Sequence, residues 1–245
     1  MGNIKYRTIL LFIAFLLLCS FWVSKVVVNI DLNRDHEPTT IASSDLPERS
    51  PQVSNPLKQT SNDLDELYQQ AAEAQPYLDQ VTQKVASQLG GEALIPETLK
   101  ARERARKKIA ADYGGEVSRI TDLARSSVIF ETEKQVLQAL DILQHDMDVI
   151  RIKNRFQNPV NGYRDVLLNI QMPNGHIVEM QLHLRSILDV KYKFGDQLYQ
   201  EIRTIEADAI QEQRDLTSDE TKRIEQLSSQ AEKLYNEAFE KSQSQ

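Results

Sequence analysis

The fold is decided by the stretch Arg164-Asp-Val-Leu-Leu-Asn-Ile-Gln171, Met172-Pro-Asn-Gly175 and His176-Ile-Val-Glu-Met-Gln-Leu-His-Leu184. Two runs of mainly apolar residues flank a short segment with proline and glycine, which is typical of a β-hairpin. In the second run, Glu179, Gln181 and His183 alternate with apolar neighbours and therefore share one face of the strand. Such a polar face suits the floor of a cleft or an exposed sheet face equally well.

Outside the hairpin, the spacing of apolar residues switches between the periods of helices and strands. The further predicted strands are residues 125–130 and 149–153. The predicted helices are residues 61–89, capped by Ser61 or Asn62, then 96–113, 133–145, a segment after Gly195 to about 215, and a polar helix from Ser218. This order predicts an α+β domain with a central sheet of four or five strands flanked by helices.

The composition favours a globular body in which any basic site is local. The 245 residues are 40% hydrophobic and 27% charged, as in ordinary globular domains. The net charge of −7 argues against general nucleic-acid binding. The single cysteine, Cys19, excludes a disulfide framework and a thiolate metal site.

The N-terminus is predicted to lie outside the folded body. Residues 8–24 are almost entirely apolar and follow Lys5 and Arg7. They can span a bilayer if Lys25 snorkels and residues 26–28 are included. We therefore expect residues 1–30 to be an N-terminal hydrophobic anchor, with a cleaved or lipidated export signal and a buried helix as alternatives. The expected localisation is single-pass membrane-anchored, or exported to the periplasm or medium. Residues 31–60 are predicted to be a disordered linker.

The densest supply of positive charge is the run Lys100-Ala-Arg-Glu-Arg-Ala-Arg-Lys-Lys108. On a helix, Lys100, Arg104 and Lys108 would share one face. A solvated charged surface is the common alternative for such a run. The chain has no glycine-rich phosphate-binding loop, so a bound nucleotide would have to be held by side chains of this kind.

Two acidic residues are candidates for metal binding. Asp122 lies just before a predicted strand, and Glu179 lies inside one. Magnesium prefers oxygen ligands and often binds one or two carboxylates together with substrate phosphates. The alternatives are that Asp122 ends a turn and that Glu179 is an ordinary strand residue. Tyr163, at the tip of a turn, could stack on a base or pack on the edge of the domain.

Taken in order, these segments resemble the RelA/SpoT-type (p)ppGpp synthetase domain. The resemblance rests on Lys100-x3-Arg104-x3-Lys108, Asp122-Leu-x-Arg125, Lys153-Asn-Arg155, Gly162-Tyr-Arg164 and Glu179-x-Gln-Leu-His183. It covers residues 95–205, leaving 61–94 as an N-terminal helix and 206–245 as a helical C-terminal extension. It implies a nucleotidyltransferase-like mixed sheet of about five strands in a small, synthetase-only or toxin-like protein.

The resemblance also implies an activity and roles for residues. The expected enzyme is an ATP-dependent pyrophosphokinase that transfers pyrophosphate to the 3′-hydroxyl of a guanosine nucleotide, GDP or GTP, or of a related acceptor. Asp122 and Glu179 would hold Mg²⁺, and Glu179 would help to deprotonate the hydroxyl. The implied nucleotide-binding residues are Lys100, Arg104 and Lys108 for the ATP phosphates, Arg125, and Lys153, Tyr163, Gln181 and His183 near the acceptor.

The sequence leaves the acceptor open. The family usually has Ser-Leu-His after Gly-Tyr-Arg, whereas Asp165-Val-Leu167 follows here, and Arg125 lies closer to the aspartate than is common. Adenosine nucleotides and tRNA 3′ ends, as in toxin members, are alternative acceptors. An alternative of a different class is an inactive, membrane-tethered module that binds nucleotides or a partner. A homo-oligomer also stays open.

Overall fold

Five strands form one mixed sheet in the computed structural model, which describes residues 56–243, all within the unit Ser50–Gln245. The strands are β1 (Glu92–Leu94), β2 (Arg125–Phe130), β3 (Val149–Asn154), β4 (Val166–Gln171) and β5 (Ile177–Leu184). Their order is β1-β2-β5-β4-β3; β2 and β5 are parallel, and the other neighbours are antiparallel. The predicted α+β class, with a sheet of about five strands flanked by helices, is confirmed.

Six α-helices surround this sheet in the described part of the chain. They are α1 (Leu64–Leu89), α2 (Arg102–Tyr113), α3 (Glu133–Asp146), α4 (Arg185–Val190), α5 (Asp196–Gln211) and α6 (Ser218–Gln243). A π-helical turn at Lys191–Gly195 joins α4 to α5 without a break in the helical backbone. The predicted hairpin is present, because β4 and β5 pair directly across Met172-Pro-Asn-Gly175.

The two faces of the sheet have different chemistry because side chains alternate along each strand. One face is apolar and packs beneath α1, where Thr82 lies 2.6 Å from Ser126 of β2. Its largest fully buried side chains include Phe130, Leu168, Met180 and Leu182. The opposite face carries the polar residues of β3, β4 and β5, so the hydrophobic core fixes which side of the sheet is available for a site.

The N-terminal end of α1 differs from the prediction. Asp63, not Ser61 or Asn62, caps the helix, because its Oδ1 accepts from the backbone N–H of Asp65 at 2.8 Å. The other end agrees with the prediction: Gly90 has φ +69°, a left-handed conformation that glycine adopts at little cost.

The helix predicted at 96–113 is shorter than expected. It begins at Arg102, so Lys100 lies before the helix rather than on it. The backbone of Lys100 is bonded elsewhere: its N–H donates to the Leu123 carbonyl at 3.0 Å, and its carbonyl accepts from the Tyr68 hydroxyl. These tertiary hydrogen bonds hold the segment away from helical geometry. Lys100, Arg104 and Lys108 therefore do not form one helical stripe.

The predicted membrane-anchored or exported localisation is corrected here. No helix within residues 56–243 is long and apolar enough to cross a membrane. The predicted anchor, residues 1–30, and most of the predicted linker, residues 31–60, lie outside the described residues. We do not retain the anchor or the localisation that was inferred from it.

Candidate active site

Asp122 is the centre of a buried ion cluster. Its side chain sits in the loop before β2 and is only 4% exposed. Oδ2 accepts from Lys100 Nζ at 2.7 Å and from Lys108 Nζ at 2.6 Å. The other oxygen, Oδ1, is buried and has no hydrogen-bond partner. One carboxylate oxygen is thus shared by two ammonium groups, while the second is left available.

The two lysines determine the charge of Asp122. Burial alone would raise the pKa of this carboxyl, but the positive charges of Lys108 and Lys100 outweigh burial and hold the pKa below its ordinary value. Burial lowers the pKa of Lys100 despite its contact with Asp122. For Lys108 the opposing influence of Asp122 exceeds that of burial, and the pKa is raised. The aspartate is accordingly ionised at neutral pH.

Glu179 lies beside this cluster because β2 and β5 are parallel neighbours. Arg125 pairs with Glu179 across the ladder, and the Glu179 backbone N–H donates to the Ala124 carbonyl at 3.1 Å. Burial raises the pKa of the Glu179 carboxyl, and the negative charge of Asp122 adds to the effect. A carboxylate that holds a proton more tightly than usual is better suited to accept one during a reaction.

The carboxylates of Asp122 and Glu179 suit a magnesium ion that also binds substrate phosphates, rather than a metal ion held by protein side chains alone. No cluster of three or more His, Cys, Asp or Glu side chains suited to a metal occurs in residues 56–243. Mg²⁺ commonly binds through one or two carboxylates and completes its shell with phosphates and water. The unpartnered Oδ1 of Asp122 is the kind of buried oxygen such an ion would satisfy.

The predicted triplet on β5 forms a chain of hydrogen bonds. Gln181 Nε2 donates to Oε1 of Glu179 at 2.7 Å, and His183 Nε2 lies 3.0 Å from Oε1 of Gln181. His183 is 3% exposed, and burial lowers its pKa to about 4, so the ring is neutral at neutral pH. The structure thus brings all three residues together on the polar face.

Neighbouring strands extend this polar face with the predicted Lys153 and with two residues that the sequence did not identify, Arg151 and Asn169. Arg151 of β3 donates from Nε to Oδ1 of Asn169 at 2.8 Å, and Asn169 pairs with Glu179. Asn169 Nδ2 also donates to the Thr121 hydroxyl at 3.1 Å, next to Asp122. Burial lowers the pKa of Lys153, and the charge of Arg151 lowers it further. The alternation of Arg151 with the predicted Lys153 on one face of a predicted strand was the signal that could have identified Arg151.

Tyr163 is held in place rather than free at the tip of a turn. Its hydroxyl donates to Oδ2 of Asp165 at 3.1 Å, and its ring meets that of Tyr235 of α6 edge-on, with centroids 5.4 Å apart. Arg155 forms an ion pair with the other oxygen of Asp165, which is buried. The Asp165-Val-Leu167 departure from the family pattern therefore introduces a carboxylate that anchors Tyr163 and Arg155.

The two remaining predicted site residues are Arg104 and Arg125. Arg104 is exposed on α2, one helical turn before Lys108, and takes no part in the Lys100–Lys108–Asp122 contacts. Arg125 is half-buried and placed opposite Glu179 by strand register. Burial also raises the pKa of Tyr113, whose ring lies 5.8 Å from Lys108 Nζ and 5.1 Å from the Arg119 guanidinium. Tyr113 and Arg119 thus add an aromatic and a cation beside the carboxylates.

The sequence is similar to that of a nucleotide-modifying toxin. The chain is 35% identical over 128 residues to the (p)ppApp synthetase toxin Tas1 of Pseudomonas aeruginosa. The match includes 52% of this chain, which spans only 28% of the length of that relative. No model of a known protein family matches the chain.

Solved structures share the fold, and two of them are similar over nearly their whole length. The Type VI effector Tas1, in complex with its immunity protein, superposes with a TM-score of 0.56 at 22% identity, over 72% of this chain and 96% of that one. The small alarmone synthetase 2 of Bacillus subtilis superposes with a TM-score of 0.53 at 16% identity, over 74% and 95%. The sequence similarity to Tas1, together with the shared fold, confirms the resemblance to a small, toxin-like RelA/SpoT-type synthetase. The comparisons give no support to the predicted tRNA and membrane partners, which we do not retain.

Proposed function

We propose that this chain is an ATP-dependent pyrophosphokinase that pyrophosphorylates the 3′-hydroxyl of a purine nucleotide. The observation that carries the proposal is the meeting of Asp122 and Glu179 at adjacent parallel strands, with Lys100 and Lys108 bonded to the aspartate. Two carboxylates flanked by cations suit a reaction in which negative charge moves between phosphates. The similarity to a (p)ppApp synthetase and the fold of a small alarmone synthetase support the same reaction class.

The reaction assigns distinct tasks to the two sides of the site. The acceptor O3′ forms a bond to the β-phosphorus of ATP, the bond from that phosphorus to the oxygen bridging to the α-phosphorus breaks, and AMP leaves. Glu179 accepts the hydroxyl proton. Lys100 and Lys108 bind phosphate oxygens, and they give up their hydrogen bonds to Asp122 when they do so. Bound Mg²⁺, held by Asp122 and Glu179, would supply further neutralisation of the phosphates.

For the acceptor, we propose an adenosine nucleotide ahead of GDP or GTP. A relative with detectable sequence similarity is named a (p)ppApp synthetase, and the departure Asp165-Val-Leu167 changes the residues that anchor Tyr163. The roles assigned by resemblance to Lys153 and Tyr163 at the acceptor side stay part of this proposal, as does stacking of Tyr163 on the base. The predicted role of Arg104 as a phosphate ligand also stays part of this proposal, since its exposed side chain lies one helical turn before Lys108.

The proposal is tested by incubating the full chain with ATP labelled at the β-phosphate, Mg²⁺ and each of ADP, ATP, GDP and GTP. We expect label to appear in the acceptor with release of AMP, most rapidly for ADP or ATP. Asp122→Ala and Glu179→Gln should abolish transfer. Asp141→Ala and Glu225→Ala, which alter exposed carboxylates on α3 and α6, are matched controls. A folded protein that transfers label to none of the four acceptors would refute the proposal.

A cellular experiment tests the choice of acceptor. If adenosine nucleotides are consumed, expression of the chain in a bacterial host should deplete ADP and ATP and stop growth. Expression of the Glu179→Gln variant at the same level should do neither. Accumulation of a guanosine product with unchanged adenosine pools would assign the acceptor to GDP or GTP instead.

A further inference from the structure

The polar face of β5 contains a continuous chain of side-chain hydrogen bonds that ends in a buried histidine. We propose that Gln181 and His183 are positioning residues for Glu179, rather than residues that bind the acceptor. The proposal rests on the proposed function, because Glu179 is the residue that takes the hydroxyl proton there. The geometry of this hydrogen-bond chain can nevertheless be tested by a measurement that does not depend on catalysis.

The direction of the hydrogen bonds follows from Glu179. An ionised carboxylate can only accept, so Gln181 must present Nε2–H to Oε1 of Glu179, as the 2.7 Å contact indicates. The amide oxygen of Gln181 then faces His183, whose Nε2 lies 3.0 Å away and must carry the proton. His183 Nδ1 is left without a proton, and it is indeed buried without any hydrogen-bond partner.

The hydrogen-bond chain engages both the oxygen and the nitrogen of the Gln181 amide. An amide whose oxygen and nitrogen are each bonded to a neighbour on the same strand is held in one of its two flipped orientations. The hydrogen bond between His183 Nε2 and the amide oxygen then holds the amide in the orientation that presents its nitrogen to Glu179. His183 is 3% exposed, and its burial favours the neutral ring.

The consequence for Glu179 is that its two oxygens become different. Oε1 is occupied by the Gln181 amide, and Oε2 accepts no hydrogen bond from the residues that the structure describes. A fixed Oε1 orients the carboxylate so that Oε2 can meet the acceptor hydroxyl. Partners of this kind, which act through the reacting group, typically change activity by about 10- to 100-fold when they are removed.

Measuring kcat and KM separately for two variants tests the proposal. Gln181→Met keeps the size of the side chain without its hydrogen bonds, and His183→Phe removes the donor that fixes the amide. In both variants we expect kcat to fall by about 10- to 100-fold while KM for the acceptor and for ATP stays within about twofold. His145→Phe and Gln83→Met, at exposed positions on α3 and α1, are the matched controls. A rise in acceptor KM with unchanged kcat would overturn the proposal in favour of direct acceptor binding.

Nitrogen NMR of the histidine rings tests the chain independently of catalysis. In the wild-type chain at neutral pH, His183 should be neutral, with the proton on Nε2 and a bare Nδ1. In Gln181→Met the fixed tautomer should give way to a mixture. An Nδ1-protonated or charged His183 in the wild-type protein would overturn the proposal. If wild-type protein with this NMR signature transfers no pyrophosphate, the proposed function fails while the hydrogen-bond chain stands.

Discussion

Lys108 Nζ and Asp122 Oδ2 lie 2.6 Å apart, and Lys100 Nζ reaches the same oxygen at 2.7 Å. Lys100 and Asp122 are almost fully buried, whereas the Lys108 side chain is about a quarter exposed. A divalent cation and these lysines would compete for one negative charge. The two lysines therefore neutralise the candidate metal ligand, and bound phosphate groups would draw the lysines away from it.

Lys108→Ala should strengthen the binding of a free divalent cation while weakening the binding of ATP. Removal of the lysine leaves Asp122 less neutralised, so we expect Mn²⁺ affinity in the absence of nucleotide to rise about 10-fold, or ~1.4 kcal/mol. ATP loses a phosphate-binding cation and should bind more weakly. Calorimetric titration with Mn²⁺ alone and with a non-hydrolysable ATP analogue measures both changes.

Lys107→Ala is the control for this prediction. Lys107 is the neighbour of Lys108 on α2, but its side chain is exposed and pairs with Glu103 at 2.8 Å. Neither affinity should change beyond the small effect of a distant surface charge. Equal effects of the two substitutions would show that overall charge, rather than the contact with Asp122, governs metal binding.

His176 should make the protein less stable in mild acid. Its side chain is fully buried at the start of β5, and burial lowers its pKa from 6.5 to about 4. The unfolded chain therefore binds a proton where the folded chain does not. The stability from this histidine is fully present above pH 6.5 and is lost as the pH falls towards 4.

Between about pH 7 and pH 5, we expect this effect to lower the free energy of unfolding by about 1–2 kcal/mol. Urea unfolding at the two pH values measures it, and His176→Gln should reduce the pH dependence by that amount. His145→Gln, exposed on α3, should leave it unchanged. His183 contributes in the same direction, because its pKa is also lowered to about 4.

Gly162→Ala should destabilise the fold and disturb Tyr163. Gly162 has φ +77°, and an added Cβ would lie 2.8 Å from the Glu232 carbonyl oxygen of α6. Gly114 has φ +61° but no atom within 4 Å of an added Cβ, so Gly114→Ala incurs the backbone strain alone. We expect Gly162→Ala to be less stable than Gly114→Ala by about 1–3 kcal/mol. Thermal or urea unfolding of both variants measures the difference, and equal losses would contradict the close contact with α6.

Asp165→Asn should affect the acceptor more than ATP. The substitution keeps the shape of a buried side chain but removes the charge that pairs with Arg155 and weakens the anchor of the Tyr163 hydroxyl. We expect KM for the acceptor to rise about 10-fold and KM for ATP to stay unchanged. Asp141→Asn, exposed on α3, is the control. A parallel rise in both KM values would indicate a general loss of structure.

Local patterns predicted the secondary structure well, and they failed where distant contacts compete. The hairpin at Met172-Pro-Asn-Gly175 and the end of α1 at Gly90 depend on residues within a few positions, and both were predicted. Lys100 was predicted on a helix because its neighbours favour one. Its backbone instead bonds to Leu123 and Tyr68, residues that no local pattern associates with it.

The residues of the candidate site were likewise predicted only in part from the sequence. Asp122 and Glu179 were identified by residue type and by resemblance, but their proximity depends on the parallel pairing of β2 with β5. Asn169 was missed because an asparagine in a strand carries no functional signal until β4 is aligned with β5, and Arg151 was missed although it alternates with the predicted Lys153. The anchoring of Tyr163 by Asp165 and Tyr235 joins the segment before β4 to α6, about 70 positions along the chain.

The sequence by itself determined the α+β class, the hairpin, most helix and strand segments, and the candidate residues, because periodicity, turns and side-chain chemistry are local properties. Tertiary structure decided that Lys100 leaves the helix to reach Asp122, that Gln181 is held between Glu179 and His183, and that Tyr163 packs against Tyr235. Those arrangements depend on burying one face of the sheet against the helices. Burial fixes strand register and brings together charges and hydrogen-bonding groups that are far apart in sequence.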